Sequence, residues 1–175
     1  MLRFDTTNAE CLVFTFKDGL LARLAHDLKI RVGTFSVEVA DDRSAVTATF
    51  DARSLRTVCA REKGQDAHDK LSPKDVREID GHIVDDVLHV ARQSSIRFES
   101  SSVTPEGAGF RVAGELSLHG EARNIVVAAR REGDRLVATA VLDQRDWGVK
   151  PFSAAFGALK IKPEVEVRLS VPAED

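Results

Sequence analysis

Apolar and polar residues alternate with a period of two through most of this chain, and that restricts the fold more than any other feature. Between residues 110 and 118, Phe110, Val112, Leu116 and Leu118 share one parity, while Arg111, Glu115 and Ser117 take the other. As a β-strand this segment has one dry face and one wet face; as a helix it would have neither. The same reading gives strands at Leu12, Phe14 and Phe16; at Leu28, Ile30 and Val32; at Val46, Ala48 and Phe50; at Ile96 and Phe98; and at Val165, Val167, Leu169 and Val171. Residues 123–131 and 135–143 are apolar on both parities, which predicts strands covered on both faces. The reading therefore predicts eight strands.

Between the strands lie hairpin turn signals: Asp41-Asp42-Arg43-Ser44, Thr104-Pro105-Glu106-Gly107, His119-Gly120 and Glu132-Gly133-Asp134. Sequential antiparallel pairing follows. Across Gly33-Thr34 the apolar parity switches from Leu28, Ile30 and Val32 to Phe35, Val37 and Val39, as it does where a bulge turns a strand around a barrel corner. The expected fold is an all-β, eight-stranded antiparallel barrel formed by one domain over residues 1–175. One insertion breaks the meander. From Ser72-Pro73, a helix start with serine as cap, apolar residues recur at Val76, Ile79, Ile83, Val84, Val87 and Leu88, the spacing of an amphipathic helix. It should pack outside the barrel or across one mouth. Residues 61–86 carry five basic and eight acidic side chains, so the whole net charge of −3 arises there, which reads as a solvated helix face.

That charge balance argues against nucleic acid as a partner, since such binding needs clustered positive charge. The two cysteines, Cys11 and Cys59, lack metal or redox spacing and read as small buried hydrophobes. No stretch of about 18 apolar residues occurs, and the start of the chain has no basic region followed by an apolar run, so the expectation is a cytoplasmic protein that does not span a membrane. The usual nucleophile, phosphate-loop and metalloprotease motifs are absent, and no set of metal ligands stands out.

Strands of this length make a barrel roughly 35 Å long, either filled by its own side chains or holding one slim ligand. Nine Phe and no Tyr suit a hydrocarbon-lined interior. The candidate lining residues are Phe14, Phe16, Leu28, Ile30, Phe50, Phe98, Leu116 and Leu118, with Ala138 and Ala140 as small positions that leave room. His26 shares parity with Leu28 and Ile30, so it should point inward near one end, either toward a ligand's polar group or as a core histidine. Arg145 and Trp147, within Arg145-Asp146-Trp147-Gly148, are candidates for the same head group or for an ion-paired barrel corner. Two other readings stay open: an enzyme using His26 as general base, and a filled barrel acting through its surface.

Three segments carry a family likeness. Ile96-Arg97-Phe98-Glu99-Ser100-Ser101, Gly114-Glu115-Leu116-Ser117-Leu118-His119-Gly120 and Leu142-Asp143-Gln144-Arg145-Asp146-Trp147-Gly148 resemble, in order, signature stretches of the YceI-like family. Gly33-Thr34-Phe35 and the position of His26 are similar too. The resemblance implies an extended lipocalin-like barrel that binds an isoprenoid lipid or quinone, often as a homodimer and often exported. This sequence departs from it in a first stretch that does not read as a signal peptide, which is why a cytoplasmic location is expected, in Ser94-Ser95 where a proline is usual, and in a more charged insertion.

Overall fold

The computed structural model describes residues 1–18 and 25–173. The chain first lays down three long paths, each broken in the middle. The first is β1 (Leu2–Asp5) and β2 (Glu10–Thr15), followed by the short β3 (Lys17–Asp18). The second is β4 (Asp27–Val32) and β5 (Phe35–Val39), and the third is β6 (Val46–Asp51) and β7 (Leu55–Glu62), ending in the hairpin strand β8 (Gln65–Ala67). After the helix α1 (Pro73–Gly81) come β9 (Ser95–Glu106), β10 (Gly109–Leu118), β11 (Glu121–Glu132) and β12 (Arg135–Asp143). The small strands β13 (Ser153–Ala154) and β14 (Leu159–Ile161) follow, and β15 (Glu164–Pro172) comes last.

Hydrogen-bonded neighbours run β1-β5-β6-β9-β10-β11-β12-β15-β2-β4-β7-β8, and every ladder is antiparallel. The two ends of that order are halves of the same three paths, so the sheet returns on itself as a ring of eight long strands. The predicted barrel is there. The predicted strands at Leu12–Phe16 and Val46–Phe50 are parts of longer bent paths, and β9 runs through Pro105 to a tighter turn at Gly107-Ala108.

The parity switch at Gly33-Thr34 is a corner. Gly33 N donates to Ser54 O at 3.0 Å and Thr34 N to Ser54 Oγ at 2.9 Å, locking the kink of the second path against the turn at Ala52–Ser54 in the third. A Cβ on Gly33 would stand 3.0 Å from that same carbonyl oxygen, so the close approach favours glycine. A second irregularity falls between Ala113 and Gly114, where Ser101 is extra on β9. There a Cβ on Gly114 would meet the Phe98 ring at 2.7 Å, so glycine is what lets that ring lie across the strand.

α1 begins as the sequence predicts. Ser72 Oγ accepts from Asp75 N, and the Asp75 carboxylate in turn accepts from Ser72 N at 2.8 Å, a complete capping box with Pro73 in the first turn. Beyond Gly81 the helix widens into a π turn, His82–Val87, with Leu88 N bonded to Ile83 O. Among the described residues, no helix is long and apolar enough to cross a membrane.

Candidate functional site

The barrel is hollow. Its interior holds a cavity of about 880 Å³ that runs from one end of the strands to the other. At the end where α1 lies, its walls are Leu118, Leu142, Val149 and Phe152; midway they are Ile30, Ala48, Leu116 and Ala138; at the far end they are Leu2, Val39, Val103 and Leu136. The helix is part of the wall at one mouth, the second of the two expected placements, with its charged face solvated. Ile79, Ile83, Val87 and Leu88 face the cavity, while Asp85 and Asp86 face water. The π turn keeps Ile83, Val87 and Leu88 on one side, since its wider turn brings residues four and five apart into line.

Nine predicted site residues lie on this lining: His26, Leu28, Ile30, Phe50, Phe98, Leu116, Leu118, Ala138 and Ala140. Phe98 and Leu116 are 7% and 6% exposed, whereas Arg97 and Glu115 face solvent, as alternation requires. Four do not line it. Phe14 sits opposite Lys29 and Glu166, outward residues of its neighbours, and its ring lies 4.8 Å under the Arg61 guanidinium on the outer face. Phe16 has left β2 and also misses the cavity. The inward residues of this strand are Cys11, Val13 and Thr15, because Val13 pairs with the inward Ile30 and Val167.

Arg145 is held outside by Asp143, through Nη2 to Oδ2 at 2.6 Å and Nε to Oδ1 at 3.0 Å. These bonds also hold the Asp143 carboxyl below its usual range. Trp147 is 2% exposed and donates its indole N–H to Leu116 O at 2.9 Å, so it props the barrel corner behind the cavity wall. The segment is the ion-paired corner. The strands over residues 123–131 and 135–143 are not covered on both faces as expected: Val126 and Val141 are 46% and 69% exposed on the outer face.

His26 opens β4 beneath the start of the helix. The Asp75 carboxyl nearby is held below its ordinary range, chiefly by the Ser72 N–H and hydroxyl, with smaller contributions from the charges of Lys74 and His26. Burial pushes the Cys11 thiol up to about 12. Cys11 points into the cavity while Cys59, opposite Lys29, points out, and both are free thiols. Cys59, Asp66 and His68 bring possible ligand atoms within 4.8 Å of one another. Two cations already hold that carboxylate, however: Lys29 Nζ at 2.9 Å and Arg61 Nε at 3.2 Å, which makes this an ion-pair cluster on the outer face.

Sequence reasoning missed the inward side of β2, the C-terminal contributors Val149, Phe152, Leu159 and Ile161, and two arginines, Arg43 and Arg131. One signal was present. Arg131 shares parity with Ile125, Val127 and Ala129, all of them inward.

An extended barrel with an apolar bore and a helix over one end matches the likeness seen in the sequence, and the profile described as the YceI-like domain matches residues 5–173. The chain belongs to the YceI-like family. Among solved structures, this YceI-like chain is similar to BcnA of Burkholderia cenocepacia, with a TM-score of 0.64, 14% identity and coverage of 95% of this chain and 96% of that one. It is also similar to a polyisoprenoid binding domain from Saccharophagus degradans, with a TM-score of 0.56, 13% identity and 94% of each chain covered. The YCEI protein of Campylobacter jejuni follows, with a TM-score of 0.52, 11% identity and 83% and 85% covered. No curated protein matches the chain in sequence. At these identities the likeness establishes the lipocalin-like barrel, and the YceI-like family as a whole points to apolar ligands.

Proposed function

We propose that this protein binds, stores or transports one elongated apolar ligand, a polyisoprenoid, an isoprenoid quinone or a lipid of similar length, along the bore of the barrel. The observation that carries this reading is the continuous cavity of about 880 Å³. Interiors pack at crystal-like density, so an apolar cavity of that size is not left over from folding, and it lies within the roughly 300–1,000 Å³ of ligand pockets. Each buried methylene contributes about 0.8 kcal/mol, so a tail touching Ile30, Phe50, Phe98 and Leu116 binds without a specific polar contact. A ligand spanning the bore reaches His26 under the helix. The polar lining residues are divided between the two ends rather than converging on one point, which favours a carrier over an enzyme with His26 as base. Extraction of the purified protein with organic solvent, followed by mass spectrometry, should release a stoichiometric long-chain lipid. If the extract is empty and no prenyl quinone or long-chain lipid binds saturably, the reading is wrong.

A further inference from the structure

We infer that this chain docks on an anionic lipid bilayer through the β13–β14 hairpin, with Phe156 inserted among the acyl chains and Lys150, Lys160 and Lys162 on the head groups. This surface is distinct from the bore and its ligand. Phe156 is completely exposed, at 112%, while every other phenylalanine is buried or half-buried. Nor does its backbone favour an aromatic. Ala155 and Phe156 both take a left-handed conformation, with φ of 52° and 56°, ahead of Gly157 at 82°. Glycine or asparagine is preferred in such a turn, so a phenylalanine held there in water has neither packing nor conformational preference behind it.

The surrounding sequence supplies a reason. From Pro151 to Leu159 the loop has no charged side chain, whereas residues 150–162 carry three lysines and no acid. An apolar tip over a cationic base places a ring among acyl chains while ammonium groups meet lipid phosphates. All three lysines are exposed, and among the described residues none is ion-paired, unlike Lys29 and Lys74. The hairpin also has a fixed place. Ser153 lies opposite Lys160 and Lys160 opposite Asp18 in a three-stranded sheet, and Ile161 N donates to Phe152 O at 3.0 Å. Leu159 and Ile161 face the bore, which turns Lys160 outward between them. Phe152 lines the bore too and packs against His82 of the π turn, with ring centroids 5.0 Å apart. The loop is therefore rooted in the rim of the helix-end mouth, and docking brings that mouth to the lipid surface. Beside it the π turn presents Asp85 and Asp86 to water; their charge holds the helix off an anionic surface, so the hairpin leads.

The test is co-sedimentation of the full chain with phosphatidylcholine vesicles, with and without about one-third phosphatidylglycerol. The wild type should bind the anionic vesicles. Phe156→Ser should weaken that binding roughly ten-fold or more, the loss expected when one ring is withdrawn from an apolar phase, and should leave Tm unchanged. Lys150→Gln, Lys160→Gln and Lys162→Gln together should bring anionic and neutral vesicles to within about two-fold of each other, as should about 0.5 M salt in the wild type. Phe156→Trp should be quenched by lipids brominated on their chains, a signal that the buried Trp147 does not give. No binding to anionic vesicles, or binding that survives both Phe156→Ser and the lysine replacements, overturns the inference. So does a dimer in light scattering that Phe156→Ser dissolves while vesicles go unbound, since the ring then covers a second copy. Solvent extraction reads the bore without vesicles, so failure here leaves the cavity reading intact, and an empty extract leaves the docking surface standing.

Discussion

Phe14 and Phe98 are the same residue on strands of equally clear alternation, yet one faces water and the other the bore. Parity says which residues share a face and nothing about which face is inside. That is decided by the partners: Phe14 sits opposite Lys29 and Glu166, and Phe98 opposite Ala48 and Leu116. Phe98→Ala should therefore cost about 3–5 kcal/mol by denaturant titration and weaken ligand retention, because it strips a buried ring that lies over Gly114. Phe14→Ala should cost less and leave retention, followed by native mass spectrometry, unchanged, since its ring contacts Arg61 outside. A larger loss of ligand from the Phe14 variant would show the register to be wrong.

The inserted helix was legible in the sequence down to its cap, because Ser72-Pro73 and the apolar spacing are local signals. Its place as one wall of the cavity was not, since that depends on contact with strands far away in the chain. Ser72→Ala removes half of the capping box, worth about 1 kcal/mol of helix stability, and should speed ligand release from this end in a stopped-flow displacement assay. The cap is also pH-sensitive. Asp75 has its carboxyl lowered in the folded state, so its contribution is complete above the unfolded value of about 4 and is lost as pH falls through the lowered one. Hydrogen exchange in α1 should accelerate in that acid window in the wild type, and much less in Asp75→Ala. A second element shows local weakness. The β11–β12 ladder covers only Ala128–Glu132 against Arg135–Thr139, although both strands continue toward the helix end. Alternate residues over 121–127 and 140–143 turn their backbone groups into that gap, and their amides should exchange faster than those of the paired stretch. Uniform protection along β11 would mean that the gap closes in solution.

The molecule as a whole is a ring of strands around an apolar bore, so a ligand seated there, as proposed, would complete part of its core. A saturating lipid should raise Tm by mass action, by about 2.7 kcal/mol of stability at a hundred times Kd. Ala138→Phe fills the bore from its wall, since Ala138 faces inward between Ala129 and Leu169. It should abolish that rise in differential scanning fluorimetry while leaving the unliganded Tm within a few degrees of wild type. A variant that still melts higher with lipid would place the ligand elsewhere. By itself the sequence determined most of the long strands, the corner at Gly33-Thr34, the helix and its cap, and which residues share a face, because those features rest on neighbours two to four positions apart, while the strands at Leu2–Asp5 and Leu55–Glu62 went unread. Only the tertiary structure decided which face of β2 is the inner one, that the helix lines the cavity, and that the barrel is hollow. The reason is physical: sidedness is set by backbone pairing between residues as distant as Phe14 and Glu166, and a cavity is the volume left once every strand has taken its register.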